Sequence, residues 1–350
     1  MNTYARNTIR AMSGYVPGEQ PKDRRYVKLN TNENPYPPSA AVAAALHGFD
    51  AARLRLYPDP DACELRNLAA GQAGLTPDWI LCGNGSDDLL TIAVRTFVDQ
   101  GGTLAHTDPS YSLYPVLARL QGANATAVPL DAEFNLPPDA ASRAAGATLL
   151  LVARPNAPTG NTFPLDSMHT LCRHFSGIVW IDEAYVDFAD DDCLAFVRQY
   201  PNVVVSRTFS KSYSLAGLRL GLAYAPPALV SEMVKVKDSY NVSMLTQAVG
   251  LAALSDREAM RANAARIRAT RDRVSGDLAA LGFRVLPSQA NFIFCQPPVA
   301  ADVYAAGLRR EGILIRYFPG PRTGAFVRIT IGTDEEMAQL LAATRRLLGR

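Results

Sequence analysis

Between residues 62 and 250 the chain alternates short apolar runs with amphipathic stretches of helical period. The apolar runs fall at 79–82, 103–106, 125–130, 148–153, 178–181, 203–206 and 220–224, and the helical periodicity between them is clear at 87–97, 111–120 and 165–175. Runs of Val, Ile and Leu without polar alternation belong to strands buried on both faces, and strands alternating with helices predict a mostly parallel sheet. The expected fold class is therefore α/β, with a seven-stranded sheet covered by helices. From about residue 251 the texture changes. One long charged helix is expected at 257–281, then short strands at 283–286, 291–295, 313–317 and 326–331, with a helix across 300–310. Thr333 and Glu336 form a capping box for a last helix at 337–348. This second region reads as a smaller α+β domain. Residues 1–38 are polar and turn-rich, with Asn and Pro too dense for helix or strand interiors, and they predict an arm draped over another surface. The expected division is an arm at 1–38, a large unit at 39–250 and a small one at 251–350.

Composition narrows the class. The 350 residues are 48% hydrophobic and 19% charged, with a formal net charge of +2. Those values describe a soluble globular protein. The positive excess is too small, and too dispersed, for nucleic acid binding. No apolar run approaches a membrane span, and the first residues carry no apolar signal segment, so the expected location is the cytoplasm. Cys63, Cys82, Cys172, Cys193 and Cys295 are scattered, as free thiols of a reducing compartment would be. His47, His106, His169 and His174 lack metal-ligand spacing, and no metal is expected.

In a parallel sheet of this kind ligands sit at the carboxyl ends of the strands, so the polar clusters should follow the apolar runs. They do. Gly83-Asn-Gly-Ser86 ends one run and opens a helix, where backbone N–H groups and the helix dipole can hold phosphate oxygens. Tyr111 follows the next run and offers a flat ring. Asn156 lies among Pro155, Pro158 and Gly160, which fix its amide. Asp182, with Tyr185 beyond it, ends a buried strand where a carboxylate needs a cation or donors. Lys211 follows the run 203–206 within Ser206–Gly221, a segment with Ser210 before it and Arg219 after it. Gly217 and Gly221 flank that arginine where backbone is expected to pass close to a neighbour. A lysine among hydroxyls, beside an arginine that can hold an anion, fits a Schiff-base amine next to a phosphate cup. Each motif alone has an ordinary structural explanation. Their occurrence together, in this order, points to pyridoxal phosphate.

These residues resemble the fold type I pyridoxal-phosphate aminotransferases. More narrowly, the segments 29–36, 57–60, 182–188 and 326–333 look like those of the histidinol-phosphate aminotransferases. The resemblance implies that Lys211 binds the cofactor aldehyde and moves the proton, and that Asp182 holds the ring nitrogen protonated. It implies that Asn156 and Tyr185 bond the ring oxygen, that Tyr111 stacks on the ring, and that Ser210, Arg219 and the Gly85–Ser86 amides grip the phosphate. Tyr57 would reach that phosphate from the neighbouring subunit of a homodimer. Arg328, with Arg316 and Tyr15 as second contacts, would bind the anionic group of the substrates, histidinol phosphate and 2-oxoglutarate or glutamate. Ala157 stands where the family often has a second asparagine. Aromatic aminotransferases and a threonine-phosphate decarboxylase are similar enough to stay as alternatives.

Overall fold

The structure is a computed structural model, and it describes residues 4–349. The first three residues of the expected arm and the last residue, Arg350, lie outside the described residues. The first strand, β1 (Val27–Leu29), comes from the arm; the large sheet then takes β2 (Ile80–Gly83), β3 (Thr103–Asp108), β4 (Asn124–Pro129), β5 (Leu149–Ala153), β6 (Ile178–Asp182), β7 (Val203–Thr208) and β8 (Gly221–Tyr224). Their order across the sheet is β2-β8-β7-β6-β5-β3-β4. Only β8 runs against its neighbours, so the sheet is seven-stranded and mostly parallel.

The absence of alternation in the sequence has the expected cause. Along β5, Leu150 and Val152 join one core with Val179, Ile181, Val203 and Val205, while Leu149 and Leu151 join another with Trp180 and Val204. Successive side chains point to opposite faces, and helices cover both. One covering helix, Ser86–Phe97, buries Leu89, Leu90, Ala93 and Val94 and carries Asp87 and Asp88 in its first turn, where the dipole favours acids. Helices Pro227–Val234 and Met244–Ser255 add to the expected pattern; the second starts at Ser243, whose side chain accepts from Thr246 N.

A second sheet is built from β9 (Arg284–Val285), β10 (Phe292–Gln296), β11 (Ile313–Tyr317) and β12 (Val327–Thr330) with β1 on its edge, in the order β1-β11-β12-β10-β9. It packs with the helices Arg257–Ala280, Ala301–Arg310 and Asp334–Leu347 around Ile267, Val274, Phe283, Ile293 and Leu340. The Thr333–Glu336 capping box is formed in both directions. The strand β1 corrects the reading of the arm as free of strand. Val27, Lys28 and Leu29 pair in parallel with Ile313, Leu314 and Ile315. Three residues are too few to show a period, and their pairing depends on a strand nearly three hundred residues away. Beyond β1, Asn34 Nδ2 donates to the carbonyls of Lys211 (2.9 Å) and Ser212 (3.1 Å), so this segment lies against its own chain.

Candidate active site

A cleft of about 480 Å3 opens at the carboxyl edge of the large sheet and faces β11 and β12 of the small one. Ser86, Tyr111, Asp182, Tyr185, Ser210, Lys211 and Arg219 line it from the large sheet, and Tyr15, Arg316 and Arg328 from the other side. Of the predicted residues, Gly85, Asn156 and Tyr57 do not line it.

Asp182, the last residue of β6, is a buried acid of the cleft, 5% exposed. One carboxylate oxygen accepts from the Tyr114 hydroxyl at 3.0 Å, and the other accepts a longer bond, 3.4 Å, from Ser206 Oγ. Ser206 in turn accepts from Trp180 Nε1 at 2.9 Å. Burial raises the Asp182 pKa to about 6 despite these donors and the Ala184 amide. A carboxylate in this position is short of positive charge.

Lys211 sits across the cleft. Its Nζ makes one long hydrogen bond, 3.4 Å to the Thr31 carbonyl, and lies 5.6 Å from the centre of the Tyr185 ring. No carboxylate pairs with it among the described residues. Tyr185 accepts at its hydroxyl from Asn32 Nδ2 (2.9 Å), and Asn32 is itself fixed by its amide's bond to Thr330 Oγ1 (3.0 Å) and by Asn291 Nδ2 bonding its carbonyl (3.0 Å). The backbone of Asn32 is left-handed, with φ 55°. Asparagine tolerates that conformation better than most residues.

The anion cup forms where β2, β7 and β8 meet. Gly85 has a φ of +88°, and a Cβ there would stand 2.6 Å from Arg219 Nη2. A side chain at Gly221 would come within 2.9 Å of the Ser86 amide nitrogen. Glycine at both positions lets the guanidinium and the helix amides converge on one point. Gly217 corrects the sequence reading: nothing lies within 4 Å of its missing side chain. Asp87 ties the cup together, accepting from the Tyr111 hydroxyl at 3.2 Å and lying 3.6 Å from Arg219. Ser210 Oγ meets Thr208 Oγ1 at 3.0 Å.

Opposite the cup, Arg316 on β11 and Arg328 on β12 are directly paired in register. Arg328 Nη2 donates to the Asn30 carbonyl (3.1 Å), its Nε is buried without a partner, and its guanidinium lies 5.2 Å from the Phe292 ring and 5.1 Å from Phe318. Burial, with Arg316 beside it, lowers its pKa. Arg316 donates to the carbonyls of Val16 and Pro17, and the Tyr15 ring packs edge-on to Tyr111 at 5.7 Å. Two facing like charges without an acid between them form an anion site.

Asn156 differs from expectation. It is fully buried behind the cleft wall, donating to the Pro109 carbonyl (2.9 Å) and Thr159 Oγ1 (2.7 Å) and accepting from Ser110 (2.8 Å). Its three bonds hold the loop rather than present an amide to the cleft. Tyr57 is 78% exposed and stacks on Tyr240 at 4.5 Å, away from this cleft. Sequence reasoning missed Tyr114, Ser206 and Asn32. Tyr114 carried a signal only as an aromatic three residues after Tyr111; Ser206 and Asn32 carried none without the fold.

Comparison with known proteins agrees with this geometry. The family described as Aminotransferase class I and II matches residues 24–343. A histidinol-phosphate aminotransferase from Synechocystis is 46% identical over 98% of both chains, and one from Syntrophotalea carbinolica is 44% identical over 97% of both. Among solved structures, the histidinol-phosphate aminotransferase of Sinorhizobium meliloti in complex with pyridoxal-5'-phosphate superposes with a TM-score of 0.89, covering 99% of this chain and 98% of that one at 25% identity. A lysine on the loop after β7 across the cleft from a buried aspartate, a glycine-shaped anion cup and near full-length similarity have one common explanation: the chain belongs to the class I and II aminotransferases.

Proposed function

We propose that this protein is a pyridoxal-phosphate-dependent histidinol-phosphate aminotransferase of histidine biosynthesis, exchanging an amino group between histidinol phosphate and 2-oxoglutarate. The observation that carries the substrate reading is the opposed Arg316–Arg328 pair, because one cavity must accept a phosphate monoester and a dicarboxylate in turn. Planar guanidinium forks bind either. The relatives' names support the same choice.

The residues present fit the cofactor. Asp182 is a buried carboxylate lacking a cation, which a protonated ring nitrogen supplies. The space a Cβ at Gly85 would fill lies against Arg219, as a phosphate cup requires. When bound, pyridoxal phosphate supplies an electron sink for the charge that develops at the substrate's α-carbon. The chain's own groups do the rest. Lys211 Nζ would hold the cofactor aldehyde and would move the proton released at the substrate's α-carbon. Asp182, oriented by Tyr114 and Ser206, would hold the ring nitrogen in its charged form. Tyr185, positioned by Asn32, would donate toward the ring oxygen, and Asn156 would take part there only by exchanging a bond it makes within its loop. Ser210, Arg219 and the Gly85–Ser86 amides would hold the phosphate, and Tyr111 would stack on the ring. Tyr15 and the arm segment before β1 screen the cleft from water.

We also propose a homodimer in which Tyr57 of one subunit completes the partner's phosphate site. Leu46, Leu54, Leu56, Tyr57 and Tyr240 are exposed apolar side chains, and that exposure supports it, since a second copy would cover them. The functional division into an arm (1–38), a cofactor unit (39–250) and a small unit (251–350) belongs to the same proposal. So does a cytoplasmic location; no helix among the described residues is long and apolar enough to cross a membrane.

Half-reactions of the purified, cofactor-loaded protein test the substrate. Histidinol phosphate is expected to bleach the visible absorbance of the bound cofactor, and phenylalanine and threonine phosphate to leave it nearly unchanged. Equal bleaching by phenylalanine would transfer the protein to the aromatic aminotransferases, and carbon dioxide release from threonine phosphate to the decarboxylases.

A further inference from the structure

The loop that carries Lys211 has a second cavity behind it. Thr208 lines both spaces, Lys211 lines only the cleft, and Phe209 and Tyr213 line only the second, whose volume is about 200 Å3. Since roughly 10–15 Å3 holds one water, this space is large enough for a small organic molecule. Two further cavities of about 10 Å3 are not.

Its polar groups are incompletely used. Tyr224 is 6% exposed, yet its hydroxyl makes no hydrogen bond among the described residues and it lines the cavity. The Tyr213 hydroxyl is also without a bond, and Arg257 has neither a hydrogen bond nor an ion pair among those residues. Asp187 accepts from Ser212 Oγ with one oxygen, and its other oxygen accepts no hydrogen bond among the described residues. Both phenols lie within electrostatic reach of Asp187 and Arg257. Burial pushes the Tyr224 phenol up to about 12, so near neutral pH it is a hydrogen-bond donor. Leu194, Leu222 and Leu254 give the wall an aliphatic part, beside the polar Gln72, Asp192 and Thr208. Arg207, also on this wall, is already paired with Glu183 at 2.9 Å and Asp192 at 3.1 Å.

A guanidinium, two phenolic donors, a carboxylate and leucine side chains around one cavity together match one class of ligand. We propose that this cavity is a second binding site, for a free α-amino acid with an aliphatic side chain. Its carboxylate meets Arg257, Tyr213 and Tyr224, its ammonium group meets Asp187, and its side chain packs on the leucines. The site has a route to the active site. Arg257 is the first residue of the long helix leading to the small sheet, and Asp187 and Tyr213 flank the lysine loop through Ser212. Occupancy therefore joins that helix to the loop carrying Lys211.

Calorimetric titration of the cofactor-loaded protein with L-leucine tests this. Saturable binding is expected that weakens about 10- to 100-fold in Tyr224→Phe and Arg257→Ala, the range for hydrogen bonds to a charged group, and persists in Arg328→Ala. Isopentylamine and 4-methylpentanoate, each lacking one charged group, should each bind at least about tenfold more weakly than leucine. Hydrogen exchange at 209–213 should slow on binding. Absence of binding, loss of binding only in Arg328→Ala, or equal binding of 4-methylpentanoate would each overturn the proposal, as would bound leucine that leaves exchange at 209–213 unchanged. Should Tyr224→Phe fail to fold, Arg257→Gln carries the same test.

Discussion

The two ends of the cleft solve opposite electrostatic problems. At the floor, Asp182 is sealed in the large sheet, its oxygens bonded by Tyr114 and Ser206, and it lacks a cation. At the mouth, Arg316 and Arg328 face each other across two strands of the small sheet, and they lack an anion. The floor is orientated by neighbours that are themselves fixed, as with the Trp180 bond to Ser206. The mouth is held mainly by carbonyls of the arm, at Asn30, Val16 and Pro17. The difference teaches how one site can be rigid toward a cofactor that stays and adaptable toward two substrates that alternate. Fixed groups suit the ring; charges anchored to a peripheral segment suit anions of differing shape.

Lys211, between the two ends, is the largest test. Lys211→Ala is expected to remove all turnover and the visible absorbance of the bound cofactor, while Asp182 and both arginines remain in place. Undiminished activity would show that floor and mouth belong to a different chemistry. Asp182→Asn tests the floor alone. Turnover should fall by orders of magnitude with cofactor still bound. In cofactor-free protein the same change should stabilise. The folded pKa of Asp182, about 6, lies above its ordinary 3.8, so the unfolded chain releases this proton first and stability declines as pH rises between those values. Above about pH 6 the loss is constant, on the order of 3 kcal/mol, and Asp182→Asn should recover it. Urea denaturation of both proteins at pH 4 and pH 7 would show the gap opening with pH; a gap of the same size at both would refute the buried-charge account.

The floor was far more legible in sequence than the mouth. Asp182 ends one continuous apolar run and Lys211 follows another within a few residues, and in a parallel sheet those positions bring them to one edge. Their partners were hidden. Tyr114 looks like any aromatic of an amphipathic helix, and its bond to Asp182 spans 68 positions. The strand β1 was invisible because three residues carry no period, and with it went the position of Asn32 beside Tyr185. Gly217 and Gly221 look alike in sequence, but only Gly221 lies against another peptide. Asn156 was placed by its motif, and the bonds that hold its amide inside the loop come from Ser110, Pro109 and Thr159, which only the folded chain gathers.

At the mouth the two arginines should separate in size of effect. Arg328→Ala is expected to raise KM for histidinol phosphate and for 2-oxoglutarate together, about 10- to 100-fold, as the loss of hydrogen bonds to a charged group. It should do so with little loss of stability, since the single Nη2 bond to the Asn30 carbonyl is set against a buried Nε without a hydrogen-bond partner. A change in only one KM would break the shared-anion reading.

Arg316→Ala should cost less, below about tenfold in KM, because its guanidinium is already engaged by the Val16 carbonyl at 3.2 Å and the Pro17 carbonyl at 3.3 Å. Hydrogen bonds of that kind contribute roughly 1 kcal/mol each. Its effect should appear in the arm. Removing the guanidinium frees residues 15–18 and with them the Tyr15 ring that packs on Tyr111, so limited proteolysis near residue 16 should quicken in Arg316→Ala and stay unchanged in Arg328→Ala. Equal proteolysis in the two variants would mean that the arm is held by β1 alone, and the mouth would then be as rigid as the floor.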